Sequence, residues 1–249
     1  MYLDIDGGSV YYQETGSGRP LILLHGWGQD VSSFWGLVPL LKNKFRLYLI
    51  DLPGFGRSEL PKKSFTVQDY ADVIKKFIKQ KKLEKPIVLG HSLGGRVAIK
   101  LASSNPNLID KLILEGAAGI KPKQGLLKIG AYIPAKIFRF LIPNIFNLKT
   151  KIRHKFYKVI GSDYINAGPL RETLKNILAE DLTQDLKKIN NETLLIWGDR
   201  DPNPQSSISI GKKMYRLIKN SRIEVIEEAG HFPHLENPKM FAYYVKEFV

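Results

Sequence analysis

The sequence predicts an α/β domain built on a mostly parallel sheet of eight strands. Short apolar runs alternate along the chain with helical patterns, which is the arrangement of a wound α/β sheet. Most of these runs are almost continuously hydrophobic, as expected of strands that helices cover on both faces. The chain has 249 residues, which is enough for one such domain with an insertion.

The predicted strands begin with a hairpin around Gly7-Gly8 and continue as six separate runs. The hairpin strands are 2–5 and 9–15, and the later strands are 20–26, 45–53, 86–92, 111–117, 192–199 and 222–230. Helices are predicted between them at 32–41, 66–80, 93–104, 206–219 and 237–248. The interval 119–187 contains no convincing strand, although strands flank it. We therefore predict a core domain of residues 1–118 and 188–249 and a helical lid, 119–187.

Composition excludes several classes of site. The absence of cysteine excludes disulfides, zinc-thiolate sites and thiol nucleophiles. No run of 18 or more uncharged apolar residues is present, and the first ten residues carry acids where a signal peptide carries cations. We therefore expect a cytoplasmic protein without a membrane span. The formal net charge of +14 predicts attraction to acidic partners.

Ser92 lies in a Gly-x-Ser-x-Gly pentapeptide, Gly90 to Gly94, between a predicted strand and a predicted helix. This strand-turn-helix corner lifts a serine above a sheet, and the alternative is a plain glycine-rich turn between strand and helix. The backbone at Ser92 has to be strained, and side chains at positions 90 and 94 would collide across the turn. Gly95 then lets the helix pack close to the strand. Ser92 is therefore a candidate nucleophile.

A serine hydroxyl becomes nucleophilic when a histidine base removes its proton, and five histidines compete for that role. On this type of sheet the chain order is serine, then carboxylate, then histidine, which His25 would break. His91 adjoins the serine and should point away from it, and His154 lies among lysines. His231 directly follows the last strand, where a loop can hold an imidazole over the sheet. We therefore assign the base to His231, and to His234 a role either in supporting the site from behind or in packing.

The carboxylate that orients the base is expected after the first strand beyond the lid. Asp199 and Asp201 both lie in the sequence WGDRDP, 197–202. Asp201 stands beyond the strand end, in a loop that can reach the imidazole, whereas Asp199 is placed to stabilise the turn through local backbone hydrogen bonds. Asp201 is therefore the preferred candidate.

Acyl transfer also requires hydrogen-bond donors for the oxyanion. One is the backbone N–H of Leu93, the residue after the nucleophile, at the positive end of its helix. The second should come from the loop after an earlier strand, and HGWG at 25–28 supplies the N–H of Trp27. The Trp27 indole is also a candidate wall of the substrate pocket.

With these motifs the chain resembles the α/β-hydrolase fold superfamily. The matching stretches occur in the family's order, at HGWG 25–28, DLPGFGRS 51–58, GHSLGG 90–95, WGDRDP 197–202 and GHFPHLENP 230–238. Within the superfamily the combination is similar to small microbial esterases such as the pimeloyl-acyl-carrier-protein methyl esterase, and to carbon–carbon bond hydrolases of ring-cleavage products. The resemblance implies a nucleophile, acid and base at Ser92, Asp201 and His231, and oxyanion donors at Trp27 and Leu93.

These residues predict a serine hydrolase that cleaves carboxylic esters of short to medium acyl chains through an acyl-enzyme. Serine at the elbow favours acyl chemistry, because the dehalogenases and epoxide hydrolases of this fold use aspartate there. The alternatives are a carbon–carbon hydrolase of vinylogous diketones and a slow-turnover receptor for a small molecule. We expect neither a metal nor an organic cofactor.

The predicted lid is strongly basic and otherwise apolar. Between positions 121 and 158 it carries ten lysines and arginines and no acid. The helix either roofs an apolar acyl pocket with its cations in water, or docks an acidic carrier or substrate, or adsorbs to an anionic lipid surface. Nucleic-acid binding is not expected, because no nucleic-acid motif accompanies the cations. Candidate pocket residues, besides Trp27, are Tyr132, Phe138, Tyr164 and Arg171.

Overall fold

A computed structural model of the protein describes residues 1–121 and 167–249. Its strands are β1 Tyr2–Ile5, β2 Gly8–Thr15, β3 Arg19–Leu24, β4 Phe45–Ile50, β5 Ile87–His91, β6 Lys111–Glu115, β7 Glu192–Gly198 and β8 Ser221–Ile226. Its α-helices are α1 Val38–Leu41, α2 Val67–Gln80, α3 Leu93–Ser104, α4 Arg171–Ala179, α5 Thr183–Lys188, α6 Ile208–Leu217, α7 Pro233–Glu236 and α8 Pro238–Phe248. Two 3₁₀ helices span Val31–Phe34 and Gly168–Leu170.

The strands form one sheet in the order β1-β2-β4-β3-β5-β6-β7-β8. β1 and β2 pair antiparallel, β2 pairs antiparallel with β4, and all later pairs are parallel. The predicted fold class is thereby confirmed. The chain order reverses between β3 and β5, and ligands of open α/β sheets bind at the carboxyl ends of strands at such a reversal.

The side chains of β3 alternate between the two faces of the sheet, and helices cover both faces. Leu21 and Leu23 of β3 belong to one buried cluster with Phe241 of α8. Because successive side chains of a strand point to opposite faces, Ile22 and Leu24 face the other side, where α3 packs on β3. All four β3 leucine and isoleucine side chains are at most 1% exposed, which accounts for their continuous hydrophobicity in the sequence.

The segment predicted as a helix at 32–41 is the clearest difference in secondary structure. It consists of a 3₁₀ helix, Val31–Phe34, and a four-residue helix, α1. Gly36 and Pro39 explain the interruption, since glycine disfavours a helix interior and proline cannot donate a backbone hydrogen bond there. Asp30 begins the 3₁₀ helix by accepting the Ser32 N–H with its side chain at 2.7 Å.

The chain divides into two compact units. The first comprises Met1–Ile120 and Glu172–Val249, and the second comprises Lys121–Arg171. Residues 122–166, which make up most of the second unit and most of the predicted lid, lie outside the described residues, so the lid stays a prediction. In the first unit, Arg96 of α3 donates to the Ile177 backbone oxygen of α4 at 2.9 Å, which ties the helix after Ser92 to α4.

Among residues 1–121 and 167–249, no helix is both long enough and apolar enough to cross a lipid bilayer.

Candidate active site

Ser92 occupies a strained corner between β5 and α3. Its φ of 49° and ψ of −106° lie in a region that residues with a side chain rarely adopt. The backbone holds this corner from both sides, because Ser92 N–H donates to the Glu115 oxygen at 3.0 Å and Gly94 N–H donates to the His25 oxygen at 3.1 Å. The strain is characteristic of a residue that must present its side chain at a strand end.

The hydroxyl of Ser92 is not used to cap its own helix. A serine at the N-cap normally accepts a hydrogen bond from a backbone N–H in the first turn. Ser92 is the N-cap residue of α3 but makes no such side-chain bond. The Ser92 side chain therefore does not occupy the backbone N–H groups of the first turn, of which that of Gly94 already bonds to the His25 oxygen.

Glycines at the corner are required by close backbone contacts. A Cβ atom at Gly90 would lie 2.3 Å from the Gly94 oxygen, and one at Gly94 would lie 2.0 Å from the Leu24 oxygen. At Gly95 the added atom would lie 2.6 Å from the Ala117 Cβ. All three distances are shorter than any real carbon contact, so the glycines allow α3 to approach the sheet as the sequence predicted.

We expect Gly94→Ala to destabilise the protein by about 3 kcal/mol or more, because the clash is with a backbone oxygen that cannot move without distorting β3. The matched control is Gly36→Ala, where no atom lies within 4 Å of the added Cβ. That variant should change the free energy of unfolding by less than about 1 kcal/mol. Urea titrations of both purified variants measure the difference, and equal stabilities would contradict the clash.

Asp201 and His231 meet at the carboxyl end of the sheet. His231 follows β8, and its Nδ1 lies 2.8 Å from the Asp201 Oδ2. Ser206 lies beside both, since its hydroxyl donates to the same Oδ2 at 2.9 Å and is 3.1 Å from His231 Nδ1. The Asp201 carboxylate favours the tautomer of His231 with its hydrogen on Nδ1. In that tautomer Nε2 has a lone pair that can accept a proton.

Hydrogen bonds keep the Asp201 carboxyl ionised. Burial favours its neutral form, but bonds from His231, the Asn203 N–H and Ser206 outweigh burial and lower the pKa of Asp201. Asp201 is buried, whereas Asp199 is exposed two residues earlier. Of the two aspartates considered in the sequence, the structure brings Asp201 into contact with the imidazole of His231.

A second carboxylate holds the loop that carries His231. Glu236 accepts the N–H of Gly230 at 2.6 Å and the N–H of Phe232 at 3.0 Å. These bonds flank position 231 on both sides and define its backbone. The base loop, residues 230–236, is therefore fixed by its own side chain before any ligand is present.

Ser92 and His231 both border the end of β6. The Ser92 N–H bonds to Glu115, and a Cβ atom at the next residue, Gly116, would lie 3.3 Å from His231 Nδ1. Gly116 has a φ of 48°, a conformation that glycine adopts without strain. Gly116 thus brings the loop that carries His231 against the strand beside Ser92.

The HGWG loop lies against the same corner. A Cβ atom at Gly26 would lie 2.9 Å from the His91 Cδ2, so the loop approaches β5 closely. The Gly26 N–H donates to the Gln29 side chain at 2.9 Å, while the Trp27 ring packs edge-on against Phe55 with centroids 4.9 Å apart. These contacts define the loop that carries the predicted Trp27 donor.

His25 supports this loop from below and is fully buried. Its Nε2 accepts the Leu52 N–H at 3.0 Å, and its Nδ1 bonds to the Gly26 oxygen at 2.8 Å. Asp51, the residue before Leu52, accepts the N–H groups of Val31 and Arg57 at 2.7 and 2.8 Å. The motifs at 25–28 and 51–58 thus form one hydrogen-bonded support.

The structure describes some of the remaining candidate residues and not others. His91 and His234 are buried beneath the base loop. Arg171 is exposed at the first residue of α4, in the second unit. His154 lies outside the described residues, and so do the proposed pocket residues Tyr132, Phe138 and Tyr164.

Four residues that support the site were missed by the sequence reasoning. Ser206, Gln29, Glu236 and Glu115 contact it from loops and strand ends. Glu236 alone carried a local signal, because a glutamate within the loop after the last strand can accept the loop's own N–H groups.

Two buried histidines predict a loss of stability in mild acid. Burial lowers the pKa of His25, and burial together with neighbouring histidines lowers that of His91 well below 6.5. Above about pH 6.5 both are neutral in the folded and unfolded chain. Below it the unfolded chain binds protons that the folded chain excludes, so stability falls by up to about 1.4 kcal/mol per pH unit for each histidine.

Urea unfolding at about pH 7.5, 6.5 and 5.5 measures this slope. His25→Gln should reduce the loss in the lower interval by up to about 1.4 kcal/mol, since one of the two sites is removed. Equal stability of the parent protein at all three values would contradict the assignment of neutral buried histidines.

With the fold and site described, comparison with known proteins becomes informative. The family model of the alpha/beta hydrolase fold matches residues 19–156. The chain belongs to the α/β-hydrolase fold family. The match begins at β3 and includes the HGWG loop, Ser92 and its helix, so it covers the strand order reversal at which the candidate site lies.

Relatives within this family include esterases and carbon–carbon hydrolases. The pimeloyl-[acyl-carrier protein] methyl ester esterase of Pectobacterium carotovorum is 31% identical over 96% of this chain and 98% of its own length. A 2-hydroxy-6-oxononadienedioate/2-hydroxy-6-oxononatrienedioate hydrolase of Pseudomonas putida is 26% identical over 97% of this chain and 92% of its own. The crystal structure of a bacterial membrane phospholipase A superimposes with a TM-score of 0.78 at 26% identity, covering 100% of this chain and 84% of that one.

Proposed function

We propose that the protein is a serine hydrolase that cleaves carboxylic esters through an acyl-enzyme. The observation that carries this proposal is the 2.8 Å contact between His231 Nδ1 and Asp201 at the same sheet edge as the strained corner of Ser92. The hydrolase family and its esterase-named relatives support the general chemistry.

In the proposed reaction, the Ser92 oxygen attacks the ester carbonyl while His231 Nε2 takes the hydroxyl proton. Asp201 accepts a hydrogen bond from the Nδ1–H and stabilises the imidazolium that forms. The carbonyl oxygen becomes an oxyanion held by the N–H groups of Leu93 and Trp27. His231 then returns the proton to the departing alcohol, which leaves Ser92 acylated.

Hydrolysis of the acyl-enzyme repeats these steps with water. His231 removes a proton from the water as the water attacks the acyl carbon, and returns it to the Ser92 oxygen when that bond breaks. The acid leaves and the serine is regenerated. Each bond that forms is matched by one that breaks, and the chain's own residues account for every proton.

Esters with short to medium acyl chains are the proposed substrates. The Pectobacterium relative favours an ester whose acyl group is linked to a carrier protein. The basic segment predicted between positions 121 and 158 would suit an acidic carrier or an anionic lipid surface. A series of p-nitrophenyl esters of increasing chain length, measured with and without acyl-carrier protein or anionic vesicles, tests substrate and partner together.

Carbon–carbon hydrolysis is the second candidate, and the Pseudomonas putida relative is the observation that favours it. Parallel assays on a vinylogous 1,5-diketone and on simple esters separate the two. A fluorophosphonate probe identifies the nucleophile, because it labels an activated serine and adds a defined mass to the peptide that contains Ser92. Rapid ester turnover with labelling at Ser92 supports the first proposal, and labelling at another residue would overturn it.

A further inference from the structure

A buried carboxylate lies directly beneath the base loop, and the proposed reaction does not use it. Glu115 ends β6, His91 ends β5 and His234 lies in α7, and all three are at most 1% exposed. Glu115 Oε1 accepts the backbone N–H of His234 at 2.9 Å and lies 2.7 Å from the His234 Nδ1. Its other oxygen, Oε2, is 3.6 Å from the His91 Nδ1. We refer to these three residues as the buried network.

This network is costly for the folded state. Among the described residues, His91 Nδ1 and Nε2, Glu115 Oε2 and His234 Nε2 are buried without a hydrogen-bond partner. Buried polar groups of this kind reduce stability, and apolar side chains of similar volume are often neutral or stabilising in their place.

The donor set of two histidines and a glutamate also occurs in zinc sites, and the three ligand atoms lie within 4.8 Å of one another. However, the 2.7 Å between Glu115 Oε1 and His234 Nδ1 is a hydrogen-bond length. Two ligands of a tetrahedral zinc ion stand about 3.3 Å apart, given zinc–ligand distances of about 2.0–2.1 Å. The geometry suits a shared proton, with His234 donating from Nδ1 to the carboxylate.

The network contacts the base loop and the backbone of Ser92. The His91 ring lies 4.9 Å from the His231 ring, 5.1 Å from Phe232 and 5.0 Å from His234, measured between centroids. The Ser92 N–H bonds to the backbone oxygen of Glu115. Burial and the neighbouring histidines lower the pKa of His91, so the ring that packs under the base loop is neutral.

Two carboxylates thus hold the base loop from opposite sides. Glu236 bonds to its N–H groups at positions 230 and 232 on the exposed side. Glu115 bonds to the N–H and ring of His234 on the buried side, three residues after His231. Glu115 also bonds through its backbone oxygen to the Ser92 N–H. The contact between Glu115 and His234 therefore links the position of the proposed base to that of the proposed nucleophile.

We propose that Glu115 is a positioning residue that, through His234 and His91, holds the base loop so that His231 faces Ser92. The inference rests on the proposed function, because it assigns His231 the role of base. Displacement of a catalytic group by about 1 Å can lower a rate by about 100-fold, so an anchor of this kind acts on kcat. Substrate binding does not require it, and KM should change little.

The test compares two substitutions of His234 in the full chain. His234→Asn places an amide nitrogen close to the position of Nδ1 and keeps the bond to Glu115, whereas His234→Phe removes the donor and keeps a ring. We expect kcat on a p-nitrophenyl ester to fall by about 30-fold in His234→Phe and by less than about 5-fold in His234→Asn, with KM within about 2-fold in both. Glu115→Leu, which removes the acceptor oxygens, should resemble His234→Phe, and Glu115→Gln, which keeps an acceptor oxygen, should resemble His234→Asn.

The matched control is Asn191→Ala at the opposite end of the sheet. Asn191 is also buried, and its amide donates to the backbone oxygens of Pro106, Ile109 and Asp110 at 3.2, 2.9 and 3.2 Å. Its loss should lower stability without changing kcat at a temperature where the variant is folded. Equal kcat in His234→Phe and His234→Asn, or a loss of kcat in Asn191→Ala as large as in His234→Phe, would overturn the positioning role.

A second measurement separates this inference from the proposed function and does not depend on turnover. The His231 Nδ1 proton, bonded to Asp201, should give a low-field proton NMR signal in the parent protein. We expect His234→Phe to broaden or shift that signal and His234→Asn to preserve it. An inactive parent with this response would refute the esterase and support the anchor, while an unchanged signal in His234→Phe would refute the anchor. Where His234→Phe does not fold, Glu115→Leu against Glu115→Gln carries the same comparison, because only the second keeps an acceptor for His234.

Discussion

Replacing Ser92 by glycine should abolish ester hydrolysis and at the same time make the protein more stable. Loss of the nucleophile is expected to lower kcat by about 10⁴–10⁶-fold, since only the oxyanion donors and substrate binding remain. Relief of the strained backbone at φ 49° and ψ −106° should stabilise the fold by about 1–3 kcal/mol. The greater freedom of glycine in the unfolded chain offsets about 0.5–1 kcal/mol of that gain.

The comparison that isolates the two effects uses three variants. Ser92→Ala removes the hydroxyl but retains the strained Cβ, so it should lose activity without the full gain in stability. Ser17→Gly is a matched control in an exposed loop, and we expect it to be slightly destabilised and fully active. Denaturant titrations and fluorophosphonate labelling measure both quantities, and an active Ser92→Ala would refute the proposed nucleophile.

Asp201→Asn is expected to lower kcat by about 10⁴-fold with little change in KM. The amide would present a donor to the His231 Nδ1 that the carboxylate contacts at 2.8 Å, and the imidazole would then carry its proton on Nε2. In that tautomer it cannot accept the Ser92 proton. Because Ser206 also bonds to the Asp201 Oδ2, the substitution disturbs that contact as well.

Asp199→Asn provides the control, since it makes the same chemical change two residues earlier at an exposed position. We expect its kcat to stay within about 2-fold of the parent. Steady-state kinetics on one p-nitrophenyl ester measure both variants. If Asp199→Asn were the slower of the two, the acid would have to be reassigned and the proposed base would lose its orienting group.

The architecture was well predicted because strands and helices differ in the periodicity of their hydrophobic residues, which can be read from the sequence. Continuous hydrophobicity in β3 to β7 follows from burial on both faces, and glycines at positions 90, 94 and 95 follow from backbone approach. The helix predicted at 32–41 was wrong in its continuity, since Gly36 and Pro39 interrupt it. Local breakers outweighed the helical pattern in that segment.

The supports of the candidate site were less accessible to sequence reasoning. Ser206 and Gln29 are common polar residues in loops, and no local pattern separates them from solvent-exposed neighbours. Glu115 appeared as the end of an apolar strand, and His234 as a supporting or packing residue. Their meeting depends on a strand end and a short helix, 119 positions apart in the chain, reaching the same end of the parallel strands.

The sequence by itself determined the class of fold, the strained serine corner and the short list of groups able to act on it, because periodicity, glycine sterics and strand-end position are local properties. Only the tertiary structure decided which carboxylate contacts His231 and what lies beneath the base loop. The physical reason is that hydrogen bonds over 2.7–2.9 Å depend on the order and register of parallel strands, which separate segments of the chain establish together.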